Sequence, residues 1–246
     1  MSAFGQVVRN EARLVRRQPT NMIGSIGLPV VLMIIFGELP SFRQHISVLG
    51  GLPLFDTYVP IIMVLGLTML TLLGLPGPLV SYRELGILRR LSTTPVPPSW
   101  LLAAQGVVYL FVALAGALVV LAGGIAVLGV PAPKNPGGLV LSIVLTIAGL
   151  FPVGLVIAAV ARTPNGAAII GRLLFFPLIF LAGLWWPREL MPGALQAISG
   201  ASPLGAAVEA MQDSMQGQFP PAVPLLVLVA YAVVFGFLAK RLFRWE

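Results

Sequence analysis

The 246-residue chain contains no cysteine, one histidine and only 9% charged residues. The missing cysteines remove disulfides, thiolate nucleophiles and cysteine-ligated metals together. The single histidine, His45, leaves no His-based metal site and no Ser/His arrangement within one chain; it reads as a solvated loop residue. Of eight acids, only Glu11, Glu84 and Glu246 fall in segments that the charge pattern assigns to the cytoplasmic side, so paired carboxylates for a divalent metal and a phosphate are missing there. No Gly-x-x-x-x-Gly-Lys-[Ser/Thr] run cradles a nucleotide. The chain has no means of hydrolysing ATP alone, and catalytic, cofactor and metal residues are all expected to be none. Ionisable groups are almost absent from the long apolar stretches, which argues against a proton relay or a dedicated ion site. Arg172 comes nearest, and its stem is long enough to snorkel to a membrane face.

What is abundant is apolar surface. At 58% hydrophobic and a mean hydropathy of +0.98, the chain has too few polar side chains to cover a soluble globule. A helix needs roughly 20 mostly apolar residues to cross the hydrocarbon. The pattern predicts an all-α polytopic membrane protein with six transmembrane helices, over 21–37, 58–80, 101–128, 139–161, 168–186 and 221–239, in a single domain over 1–246. No cleavable signal is expected, because a basic polar segment precedes the first apolar run and no small-residue cleavage site closes it. Gly66, Gly74 and Gly77 are expected to allow close helix contacts. The stretch 187–220 holds two apolar pieces too short to cross, Leu190 to Ile198 and Leu204 to Met215, and reads as re-entrant or interfacial outer helices.

Residues 2–18 do not span. At 100° per residue, Phe4, Val7, Val8, Ala12, Leu14 and Val15 share one side, and Gln6, Arg9, Asn10, Arg13, Arg16 and Arg17 the other, the pattern of a helix lying in the headgroup plane. Glu11 falls near the middle of the apolar arc, either reaching a nearby arginine or forming a buried ion pair with a neighbouring cytoplasmic segment.

Charge sets the orientation. With the N-terminus inside, the inner segments hold Arg9, Arg13, Arg16, Arg17, Arg83, Arg89, Arg90, Arg162, Arg172, Lys240, Arg241 and Arg244, and the outer ones only Arg43, Lys134 and Arg188. This split follows the positive-inside rule and predicts a multi-pass protein of the inner or plasma membrane with both termini cytoplasmic. The net charge of +7 is read as loop charge and attraction to membrane lipids, with no nucleic acid as partner.

The most informative segment is Ser81 to Trp100. It is expected to leave span two, form about two helical turns with Leu85, Leu88 and Leu91 on one side, and stop at Pro95. It is either a mechanical handle gripped by a cytoplasmic protein or an ordinary basic loop enforcing topology.

The run Arg83-Glu84-x-Gly86-x-Leu88-x-Arg90-Leu91-x-x-Thr94-Pro95 resembles the cytoplasmic motif of ABC-2 type transporter permeases, the membrane halves of ATP-driven exporters such as the daunorubicin-resistance type. Pro177-x-x-x-x-x-Gly183-x-x-x-Pro187-x-x-x-Met191-Pro192 extends the likeness, and Ser202-Pro203-Leu204 resembles the family's Asn-Pro-Leu turn with Ser in place of Asn. The resemblance implies a coupling helix over 82–94 between spans two and three, with Tyr82, Arg83, Glu84, Gly86, Arg89, Arg90, Leu91, Thr94, Pro95 and Glu11 coupling to an ATPase. It implies two copies of an ABC ATPase subunit carrying ATP and Mg, and a second copy of this permease or a related one. It also implies a substrate pathway along spans one, two and five, which makes Phe36, Met63, Met69, Phe175, Phe176 and Phe180 candidate contacts for a hydrophobic or amphipathic cargo such as a drug, an antibiotic or a lipid-like molecule. Two other classes compete. A membrane-embedded lipid-modifying enzyme or assembly factor needs a deep polar cluster, and a channel or secondary transporter needs facing broken helices or buried charges.

Overall fold

A computed structural model describes residues 3–16, 23–44, 53–87 and 99–242. These are predominantly helical, with no strand among them. The helices are α1 (Ala3–Arg16), α2 (Leu28–Glu38, entered through a wide π turn at Ile23–Gly27), α3 (Leu54–Thr68), α4 (Pro76–Glu84), α5 (Ser99–Leu128), α6 (Pro136–Val160), α7 (Pro164–Leu181), α8 (Gly193–Ala201), α9 (Pro203–Gln216) and α10 (Ala222–Leu242). Short 3-10 turns follow α2 at Pro40–Arg43 and precede α8 at Arg188–Leu190.

Among the described residues, five rods are long and apolar enough to cross a bilayer: Leu54–Glu84, Trp100–Leu128, Pro136–Val160, Pro164–Leu181 and Ala222–Leu242. The expected first span is shorter in the described residues. Its apolar helix is Gly24–Glu38, and at 1.5 Å per residue it covers roughly 22 Å of an about 30 Å hydrocarbon layer.

The rod Leu54–Glu84 is the axis of the molecule, with 83% of its apolar window buried against 17% for Ala222–Leu242. It joins α3 to α4 through a π-helical segment at Met69–Gly74. Pro76 lacks the N–H that would bond the Leu72 carbonyl in an α-helix, so the widened turn sits where the ladder has to break. Helices α6 and α7 close on this segment at glycines. A Cβ on Gly171 would come 2.5 Å from the Leu72 carbonyl, and one on Gly154 would overlap the Thr71 carbonyl. Just before the π segment, a Cβ on Gly66 would lie 2.8 Å from the Ser25 carbonyl. Of the three glycines expected to make close contacts, Gly66 does. Gly77 faces open space, and the nearest atom to a Gly74 Cβ, 3.7 Å away, belongs to the same segment. The tight partners come from α6 and α7 instead.

Several buried hydroxyls return to their own helices. Thr68 and Thr71 donate to the Val64 and Leu67 carbonyls at 2.7 and 2.8 Å, and Thr146 donates to Ser142 at 2.7 Å. Each meets its hydrogen-bonding need without water, as an apolar interior requires.

Helix ends follow local chemistry. Asn135, Thr163 and Ser202 cap α6, α7 and α9 by accepting from Gly138, Gly166 and Gly205, and proline occupies the first turn of each. The expected fifth span, 168–186, is shifted: the helix starts at Pro164 and stops at Leu181, because Gly183 takes φ +96° and turns the chain. Trp185 and Trp186 therefore stand in the loop beyond the span, both exposed. The second span likewise starts at Leu54 rather than Tyr58. The two short apolar pieces expected after the fifth span appear as helices, α8 and α9.

Candidate functional site

The spans alternate in direction, which collects α1, the end of α4, the start of α5, the end of α6, the start of α7 and the end of α10 at one pole. This pole carries exposed Arg9, Arg13, Arg162, Lys240 and Arg241, while the exposed Arg172 lies midway along α7. Helix α1 lies across the first turns of α5. Phe4 meets the Trp100 ring edge-on at 5.7 Å. Seven residues further, on the same face, Glu11 is buried at 5% exposure and accepts a 3.2 Å hydrogen bond from Gln105 Nε2. The inward position of Glu11 agrees with the helical pattern. Among the described residues, its partner is an amide rather than the expected arginine. Burial pushes its carboxyl above the usual range, outweighing the lowering by Gln105.

At the end of α4 the expected coupling residues separate. Tyr82 is half-buried. The half-buried Arg83 turns back toward α6, donating to the Ala158 carbonyl at 3.4 Å and closely to that of Ala161. These are the last carbonyls of α6, where the partial negative charge of a helix gathers. Glu84 is exposed, and Leu85 is 69% exposed. The helix expected over 82–94 does not begin afresh at Tyr82: α4 runs unbroken to Glu84 and is ended by Gly86 at φ +65°. Left-handed backbone of this kind favours glycine. Arg89, Arg90, Leu91, Thr94 and Pro95 lie outside the described residues, as do His45, Arg244 and Trp245.

The six candidate pathway residues are not gathered in one place. Phe36 stacks on Phe42 at 4.6 Å, and both pack on Tyr58 at 5.4 and 5.0 Å, at the opposite pole. Met63 is buried in the rod and Met69 half-buried on its π segment. Phe175 points inward from α7 while Phe176 is 57% exposed. Phe180 lies 6.5 Å from Trp185. Met63 also lines a void between α2, α3 and α5 with Ser25, Gly66, Ala113 and Gly116; its volume is about 10 Å³, room for a single water. Exposed apolar side chains instead cover the outer faces, with Val31, Ile34 and Ile35 on α2 and Leu173, Leu174 and Phe176 on α7.

The opposite pole holds a polar clasp that sequence reasoning did not single out. Arg188 bonds Glu209 at 2.8 Å and the Gly205 carbonyl at 2.9 Å, and Gln196 donates to the Arg188 carbonyl at 2.9 Å. It thus pins the 3-10 turn to α8 and α9. Asp213 on α9 has its carboxyl pushed above the usual range by burial and by Glu209, with Arg188 opposing. Gln105 was also missed. A lone glutamine in an apolar helix is the available signal, since a buried amide has to find a partner.

A family model described as "ABC-2 type transporter" matches residues 2–216, most of the chain. A curated relative, a daunorubicin resistance ABC transporter permease protein from Streptomyces coeruleorubidus, is 30% identical over 91 residues. That alignment covers 36% of this chain and 32% of the relative, so the match spans about a third of the relative's length.

Proposed function

This chain belongs to the ABC-2 type transporter family, and from that premise we propose that it is the permease half of an ATP-driven exporter. It is a multi-pass membrane subunit and not itself the ATPase. In this reading two copies, or this chain and a related one, pair with two ABC ATPase subunits that carry ATP and Mg. The basic pole faces the cytoplasm of a cell whose inner or plasma membrane holds the chain. The family match over residues 2–216 carries the reading.

Two features of the fold support it. The exposed Glu84 and Leu85 stand just past the anchored Arg83, so a subunit gripping them and the segment beyond would move the axial rod and α6 together. The void between α2, α3 and α5 is water-sized, whereas α2 and α7 present apolar faces outward. A cargo path between two copies fits that distribution better than one through a single chain. The relative's name concerns resistance to daunorubicin, and a flat, amphipathic drug of that kind suits apolar walls. We extend the cargo class to hydrophobic and amphipathic molecules, a lipid-like one included.

The test is purification from native membranes. An ABC ATPase should accompany the chain, Glu84→Ala and Gly86→Pro should leave ATP hydrolysis running while export falls, and cysteines placed at Val31 or Leu173 should cross-link two copies. Undiminished transport in vesicles devoid of any ATPase would refute the proposal.

A further inference from the structure

Glu11 is a carboxyl in an apolar contact. It projects from the stripe of α1 that carries Phe4 and Val15, against α5, while Arg9 and Arg13 on the same helix are exposed on its other side. A carboxylate buried without a cation is costly. The partner that meets it is an amide with a need of its own. Gln105 gives Nε2–H to Glu11 Oε2 at 3.2 Å, while its Oε1 is buried and has no hydrogen-bond partner among the described residues. An orphaned acceptor beside a buried carboxyl has a simple remedy, because a carboxylic acid can accept from the amide N–H and donate its own proton to the amide oxygen. A carboxylate can do only the first. The remaining titratable groups near this carboxyl among the described residues are the phenols of Tyr82 on α4 and Tyr109 on α5. They are neutral at physiological pH and supply no compensating charge.

We propose that Glu11 is held as a neutral carboxylic acid in a two-point acid–amide pair with Gln105, and that this pair is the positioning element that seats α1 on α5. Its consequence for transport rests on the permease reading; the pairing itself does not. In the exporter, a push on α1 reaches α5 through this pair, so Glu11 acts through seating the helix and not by touching the ATPase.

The direction of the raised carboxyl agrees with the geometry. The docked helix retains a proton that a released, solvated Glu11 gives up in the ordinary carboxylate range. Docking is therefore complete below that range and weakens as pH rises through the elevated titration point of Glu11. The seat of α1 is tighter in an acidified cytoplasm than in an alkaline one.

The chain has no native cysteine, so a single spin label at Asn10→Cys, on the exposed side of α1, reports docking in the full chain reconstituted in phosphatidylcholine vesicles. The label should be restrained at acidic pH and gain mobility as pH rises. Glu11→Gln, which keeps a two-point amide pair and cannot ionise, should be restrained at every pH. Glu11→Ala and Gln105→Leu should be mobile throughout. Infrared spectra of the unlabelled chain should show, at pH above the ordinary carboxylate range, a protonated-carboxyl C=O stretch that is lost in Glu11→Gln and titrates with the label's midpoint. A label in Glu11→Gln that titrates like the parent, or a C=O stretch unchanged by that substitution, overturns the proposal even where Glu11→Ala fails to fold. Both readouts use the chain alone. Failure to recruit an ATPase would sink the permease reading without touching the latch.

Discussion

Arg83 sits in the run that resembles a coupling motif, yet its guanidinium points into the protein, toward the closing carbonyls of α6. Removing it strands those acceptors and the negative end of a helix. Arg83→Ala is expected to lower stability by about 1–3 kcal/mol, with Arg83→Lys recovering part of the loss, as read by thermal unfolding in detergent. What could be seen in the sequence at this scale was direction, not partnership. A 100° repeat is local, so the inward face of α1 and the place of Glu11 on it were legible. Gln105 lies 94 residues further along, and no local period links the two. Ser202 shows the converse. Its role is local, since it caps α9 by accepting from Gly205 and donates to the Ser199 carbonyl. Serine and asparagine both cap well, which explains why the Asn-Pro-Leu turn tolerates this replacement.

The π segment of the axial rod buries Leu70 and Leu72 in the core and also makes close backbone contact. Its carbonyls at Thr71 and Leu72 leave no space for a Cβ on Gly154 or Gly171, so Gly154→Val and Gly171→Val are each expected to cost about 1–3 kcal/mol through overpacking. Gly77→Ala, with open space before it, should change stability by less than about 1 kcal/mol. Melting temperatures of the three purified variants check the contrast; equal losses at all three positions would refute the packing account. The existence of the long elements was legible because each apolar run exceeds the length that a bilayer demands. Their ends were less so. The fifth span stops early because Gly183 turns left-handed, and hydropathy does not register the sign of φ. The choice of glycines was illegible for the same reason. Many glycines offer a close approach, and which ones are used depends on helices that are distant in sequence.

At the scale of the molecule, the all-helical membrane architecture followed from composition, and five spans of sufficient length are present among the described residues. Which span lies at the centre was hidden, because the hydropathy of Leu54–Glu84 falls within the range of the other spans and hydropathy does not distinguish lipid from protein as a neighbour. The Leu54–Glu84 rod is that centre. It also emerges from the ribosome early, well before the residues of α6, α7 and α9 that enclose it. Until those helices arrive, the widened turn at Met69–Gly74 has neither the glycine surfaces of α6 and α7 nor the shelter they give its carbonyls. Nascent chains stalled before Pro136 should thus be cut by protease far more readily than chains extended past Gln216. Production of this protein then passes through an interval in which its innermost helix is its least protected, and an insertase or lipid that shields that helix limits the yield.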